Sequence, residues 1–146
     1  MEKEKVLFIC THNSARSQMA EGLLRSLRGD RYEVYSAGTD PAGVSSHAVK
    51  AMAEIGIDIS NHRSKNIREF SGMVFDYVVT VCDHAKEVCP VYPGVKKTIH
   101  KDFNDPSVLT GPEENVMAGF RDIREKIRNW IEQAFLKYPK ISSIAS

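Results

Sequence analysis

The sequence predicts an α/β fold, a four-stranded parallel sheet flanked by helices on both faces, in a single domain spanning residues 1–146. Three observations carry that prediction. Short β-branched and aromatic runs alternate with segments whose apolar residues recur at helical spacing. Strands that alternate with helices run parallel, and the helices cover the sheet. The length of 146 residues, with 42% hydrophobic and 27% charged content, suits one sizeable core.

Residues 6–9 (VLFI) form a continuous apolar run, the pattern of a strand buried on both faces. Met19, Ala20, Leu23, Leu24 and Leu27 then recur at helical spacing, and Gly29 can end that helix. Residues 32–37 read as a second strand. Ala48, Val49, Met52 and Ile55 mark a second helix closed by Gly56. Residues 77–81 read as a third strand and residues 96–99 as a weaker fourth, at an edge. Val116, Phe120, Ile123, Ile127, Trp130, Ile131 and Ala134 make the apolar stripe of a last helix, and Pro112 with Glu113 and Glu114 suits its first turn. Cys10, Cys82 and the segment after Ile99 fall at the carboxyl ends of strands, where open parallel sheets bind ligands.

Several functions are excluded by composition. Net charge is +1 with no basic block, which favours neither nucleic acid nor an anionic membrane. The apolar run at 6–9 is far too short for a signal peptide or a membrane span, so a cytoplasmic protein is expected, as a monomer. Three cysteines in a reducing compartment argue for reactive thiols rather than a static disulfide framework.

The densest chemistry lies in residues 10–16. Thr11, His12, Asn13, Ser14 and Ala15 separate Cys10 from Arg16, between a strand end and a helix start. Backbone N–H groups of such a turn can cradle a tetrahedral oxyanion, helped by the helix N-terminus. Arg16 can grip two anion oxygens at once. The same positive field is expected to lower the Cys10 pKa, and Ser17 can donate a hydrogen bond to the thiolate. The spacing therefore describes an anion cup with a nucleophile at its base. A chance pairing of a buried Cys with a surface Arg is the alternative, since C-x5-R-S by itself is a weak pattern.

Cys82 and Cys89 are seven residues apart, and residues 83–88 contain few helix breakers. A helix would separate the two Cα atoms by ~10 Å. A disulfide needs them within about 7 Å. The segment would have to unwind for the sulfurs to bond, and Pro90, Pro93 and Gly94 ease that. This reads as a redox switch. Two unrelated thiols remain an alternative. A metal site of Cys82, His84, Cys89 and His100 fits no standard zinc spacing, so no resident metal is expected. Asp105 and Pro106, in KDFNDPS, read on their own as a turn.

The motif CTHNSARSQ followed by MAEG resembles the signature loop of the low-molecular-weight protein tyrosine phosphatase fold. The resemblance continues through residues 35–38 (YSAG), 48–52 (AVKAM), 56–60 (GIDIS) and Asp105-Pro106, and covers nearly the whole chain. The Cys82/Cys89 pair makes the chain most similar to the thioredoxin-coupled arsenate reductases within that fold. The resemblance implies Cys10 as nucleophile toward arsenate, Cys82 and Cys89 as shuttle thiols, and Asp105 rather than Asp102 as general acid. It implies no bound cofactor, with reduced thioredoxin as electron donor.

The chain departs from the family at several positions. His12 stands where relatives often have Gly, at a position expected to need a left-handed backbone. Ala15 stands where they often have another Cys. Asn13, Glu21 and Ser36 match positions that hold potassium in some relatives, but Lys65 replaces an acidic residue there. Its ammonium could take the cation's place; a solvated surface lysine is the alternative. The competing function is a low-molecular-weight tyrosine phosphatase, which would share Cys10, Arg16 and Asp105 but has no need of Cys82 and Cys89. A non-catalytic oxyanion-binding or redox-sensing module is the third reading.

Overall fold

A computed structural model of the chain describes residues 2–82 and 94–136. Four strands, β1 (Glu4–Cys10), β2 (Tyr32–Gly38), β3 (Tyr77–Thr80) and β4 (Lys97–His100), form one sheet in the order β2-β1-β3-β4. Every neighbouring pair is parallel. The helices are α1 (Arg16–Arg28), α2 (Ser46–Ala53) and α3 (Glu113–Ile131). The expected fold class is thus observed, with β4 at the edge.

The central position of β1 explains its uninterrupted apolar run. Val6, Leu7, Phe8 and Ile9 have no exposed surface, because both faces of the strand are covered. On one face, Phe8, Tyr32 and Tyr77 meet Phe135 edge-on beyond the end of α3. On the other, Tyr35 packs edge-on against Phe70 and Phe75, beside the 3-10 turn Ile67–Phe70.

Helix α3 buries Val116, Phe120, Ile123, Ile127 and Ile131 of the expected stripe, while Trp130 is half-buried and Ala134 falls in the π-helical turn that follows. It is tied to α2 by charge as well. Arg121 and Arg124 both hold Glu54, and Arg124 also donates to the Ala51 carbonyl at 2.8 Å. Hydrogen bonds from the two guanidinium groups pull the Glu54 carboxyl down to about 2. One expectation needs correction. Gly29 caps α1 at φ −63, in the right-handed region, so its conformational freedom is not what ends the helix. Gly56, at φ +79 after α2, does use it. No helix among the described residues is long and apolar enough to cross a membrane.

The sheet order places the chemistry. The chain leaves β1 for β2 on one side and returns to β3 on the other, so a crevice opens between the carboxyl ends of β1 and β3. Cys10 ends β1. Pairing continues past β3, with Val81 N–H donating to the Ile9 carbonyl at 2.9 Å. That bond sets Cys82 beside the start of the Cys10 loop.

Candidate active site

The loop from Cys10 to the start of α1 is braced from outside. Asp40 N–H donates to the Thr11 carbonyl at 2.8 Å, Ala42 N–H to the His12 carbonyl at 3.1 Å and Ser45 N–H to the Ser14 carbonyl at 2.9 Å. Gly38, paired with Cys10, makes this approach possible. A Cβ there would lie 2.6 Å from the Thr11 oxygen and 2.8 Å from the Asn13 nitrogen. Ala15, at the N-cap of α1, supplies no side-chain cap, which suits a helix start that receives an anion.

The left-handed residue of the loop is Asn13, at φ 48, and not His12. Asparagine enters that region more easily than most side chains. The Asn13 amide is also fully engaged. Its Oδ1 accepts from Gln18 Nε2 and the Lys65 backbone N–H, both at 2.9 Å. Its Nδ2 donates to Ser17 Oγ at 2.8 Å and Ser36 Oγ at 2.9 Å. Accepting from Asn13 leaves Ser17 its own proton to donate. His12 lies outside this net, with its Nδ1 2.9 Å from the Asp40 carbonyl.

Arg16 is buried behind the loop. Its Nη1 donates to the Phe103 carbonyl at 3.1 Å, and its Nη2 lies 3.4 Å from Asp105 Oδ2. Its buried Nε has no partner among the described residues. An unpaired buried donor costs about 1–3 kcal/mol, and an oxyanion oxygen in the cup would relieve that cost. Asp105 arrives because the strand exit folds back over the sheet: Lys101 N–H donates to the Thr80 carbonyl and Phe103 N–H to the Val81 carbonyl. Asp105 then starts the 3-10 turn Pro106–Val108, its Oδ1 accepting from Ser107 N–H at 2.9 Å. Asp102 is exposed.

Cys10 and Cys82 are both buried and reduced. Thr11 Oγ1 lies 3.3 Å from Cys82 Sγ. The hydrogen bond with Cys82 and burial push the Cys10 thiol up, while Arg16 and the Thr11 N–H pull it down. The balance is upward, against the expectation of a lowered value. The cause is tertiary: the fold sets a second thiol beside the first, and two thiols at one site resist ionising together. Cys89 and residues 83–88, expected as a helix, lie outside the described residues.

Behind Asn13 sits Glu21, also buried. Ser36 Oγ and Arg25 Nη2 bond its two oxygens, and Lys65 Nζ lies 4.0 Å from one of them. Burial pulls the Lys65 ammonium down, and Glu21 opposes this. Two cationic side chains, Arg25 and Lys65, thus flank the Glu21 carboxylate. Gln18, Arg25 and His62 belong to the same net. Sequence reasoning missed them as functional residues; the only signal was the place of Gln18 at the end of the CTHNSARSQ motif.

Residues 5–140 match the family described as low molecular weight phosphotyrosine protein phosphatase. An arsenate reductase of Halalkalibacterium halodurans is 47% identical over 127 residues, covering 87% of this chain and 91% of that protein. A solved arsenate reductase in the phosphate-binding state superposes with a TM-score of 0.71 at 31% identity, covering 92% of this chain and 98% of that one. The Corynebacterium glutamicum thioredoxin-dependent arsenate reductase superposes with a TM-score of 0.61 at 31% identity, covering 90% of this chain and 61% of that one. The chain therefore belongs to the low molecular weight phosphotyrosine protein phosphatase family and groups there with the arsenate reductases.

Proposed function

We propose that this protein reduces arsenate to arsenite in the cytoplasm, using Cys10, Cys82 and Cys89 in sequence and reduced thioredoxin as electron donor. The observation that carries the reading is the second buried thiol, Cys82, at the strand end beside Cys10, with its sulfur 3.3 Å from Thr11 Oγ1 of the same cup. A phosphatase needs only the first thiol.

The cup of residues 11–16 holds arsenate, with Arg16 Nε supplying a donor that is otherwise unpaired. Cys10 Sγ attacks arsenic, an As–O bond breaks, and the departing oxygen leaves as water with protons from the thiol and from Asp105 at the rim. Asp105 then recovers its proton from solvent. Ser17, fixed by Asn13, donates to the Cys10 sulfur as charge develops on it. Cys82 next attacks Cys10. The S–As electron pair passes to arsenic, arsenite leaves, and a Cys10–Cys82 disulfide forms. Cys89 attacks Cys82 and frees Cys10, and the dithiol of thioredoxin reduces the resulting Cys82–Cys89 disulfide. Lys65 stands in for the cation used by some relatives. Weak phosphatase activity accompanies the reductase, because the cup suits phosphate equally.

The test is arsenate-dependent NADPH oxidation with thioredoxin and thioredoxin reductase, beside glutathione and glutaredoxin. Turnover is expected with the thioredoxin system and lost in Cys10→Ser, which should still bind phosphate. Full turnover by Cys10→Ser overturns the mechanism. Phosphatase turnover without arsenate reduction would favour the tyrosine phosphatase reading.

A further inference from the structure

Leu109 closes the 3-10 turn that Asp105 opens, and its N–H donates to the Pro106 carbonyl at 3.2 Å. Its side chain reaches α3 at Gly119. A Cβ at Gly119 would overlap Leu109 Cδ1 and lie 3.5 Å from Cγ, so the leucine tip fills the space that the glycine leaves open. A glycine inside a helix weakens it relative to alanine, and close packing against the backbone is what such a position offers in return. Here the group that packs is Leu109.

A second contact holds the other end of the same segment. The Phe103 ring packs edge-on against Trp130, with centroids 6.2 Å apart, and Phe103 N–H donates to the Val81 carbonyl at 3.2 Å. Gly119 and Trp130 are three turns apart on α3, so they share one face, about 16 Å from each other. Asp105 lies in the chain between these two anchors. Its Oδ1 accepts from Ser107 N–H at 2.9 Å, inside the turn that Leu109 closes.

Charge alone cannot hold the carboxyl through the reaction. Asp105 Oδ2 lies 3.4 Å from Arg16 Nη2, but the Asp105 side chain is 27% exposed, and solvent weakens such a pair. Two events then remove the attraction. An oxyanion entering the cup draws Arg16 to itself. Asp105 must also carry a proton in order to donate one, and a neutral carboxyl makes no ion pair. Apolar packing survives both events.

We propose that Leu109, seated against Gly119, is a positioning residue that keeps the Asp105 carboxyl at the cup while it is protonated. Leu109 acts through Asp105 rather than on the reacting atoms. This inference rests on the reading of Asp105 as the proton donor.

Two measurements test it. Water exchange of the Ser107 amide, read by NMR, reports the hold on the Asp105 turn. Leu109 is 44% exposed, so Leu109→Ala spares the core. Exchange should be at least about tenfold faster in that variant than in wild type; unchanged exchange overturns the latch. Single-turnover kinetics reads the consequence. Leu109→Ala should slow the Cys10 step at least about tenfold, with phosphate affinity within about threefold of wild type. Made on Asp105→Asn, the same substitution should slow nothing further, because a positioning residue acts only through the group it positions. Gly119→Ala favours the helix and drives Leu109 from its seat, so it should slow the Cys10 step as well. Circular dichroism confirms that each variant is folded. Folded Leu109→Ala or Gly119→Ala with an unchanged Cys10 step overturns the proposal, and so does equal slowing by Leu109→Ala with and without Asp105. An Asp105→Asn protein with a wild-type Cys10 step would overturn the reading of the acid itself, and Ser107 exchange would still decide the latch.

Discussion

Thr11 Oγ1 sits 3.3 Å from Cys82 Sγ, so a hydroxyl from the cup reaches the thiol that attacks second in the proposed cascade. The contact couples two strand ends 71 residues apart. A hydroxyl that donates to sulfur stabilises the thiolate more than the thiol, and the thiolate is the attacking species.

Thr11→Val should therefore slow formation of the Cys10–Cys82 disulfide by about tenfold and affect the first attack less. Rapid-quench single-turnover kinetics separates the two steps. Slowing confined to the first step would mean that the hydroxyl serves the oxyanion instead.

Asp105 lies beside Arg16, at the mouth of the cup. Asp105→Asn removes the proposed proton donor but leaves the cup standing. The Cys10 step should slow by about a hundredfold, while exchange from Cys82 to Cys89 continues, because thiol exchange expels no oxygen. Equal slowing of both steps, followed by thiol trapping and mass spectrometry, contradicts this assignment.

Lys65 brings an ammonium to within 4.0 Å of the buried Glu21 carboxylate. Activity should then be the same in potassium as in a bulky organic cation at equal ionic strength. Lys65→Asp should make the rate depend on potassium. A large selective gain for the wild type in potassium would show that Lys65 does not replace the cation.

Glu54 gives a pH prediction at a site remote from the chemistry. Its carboxyl lies at about 2 in the folded protein against an ordinary 4.5, because Arg121 and Arg124 bind its charged form. The folded value is depressed, so the contribution is full above 4.5 and is lost as pH falls toward 2. Glu54→Gln should melt a few degrees below wild type at neutral pH, and the gap should narrow across that acid window in differential scanning calorimetry. A gap that stays constant down to the acid limit would assign the effect to packing.

The sequence by itself determined the sheet, the helices and the place of the Cys10–Arg16 loop between β1 and α1, because those signals are local. An apolar run at β1, a 3.6-residue stripe along α3 and a Cys–Arg spacing are each read within a few turns of chain. Family resemblance supplied Asp105, which residue chemistry alone leaves as a turn. Tertiary structure decided what depends on distant partners. Asn13 rather than His12 takes the left-handed backbone, and Gln18 and Lys65 converge on its amide from distant parts of the fold. The Cys10 thiol is raised rather than lowered because the β1 and β3 ends bring Cys82 alongside. His62 joins Gln18 across 44 residues, and no spacing rule foretells that contact. Hydrogen bonds and thiol ionisation depend on distances of a few ångströms, and only the packed sheet and helices set those distances.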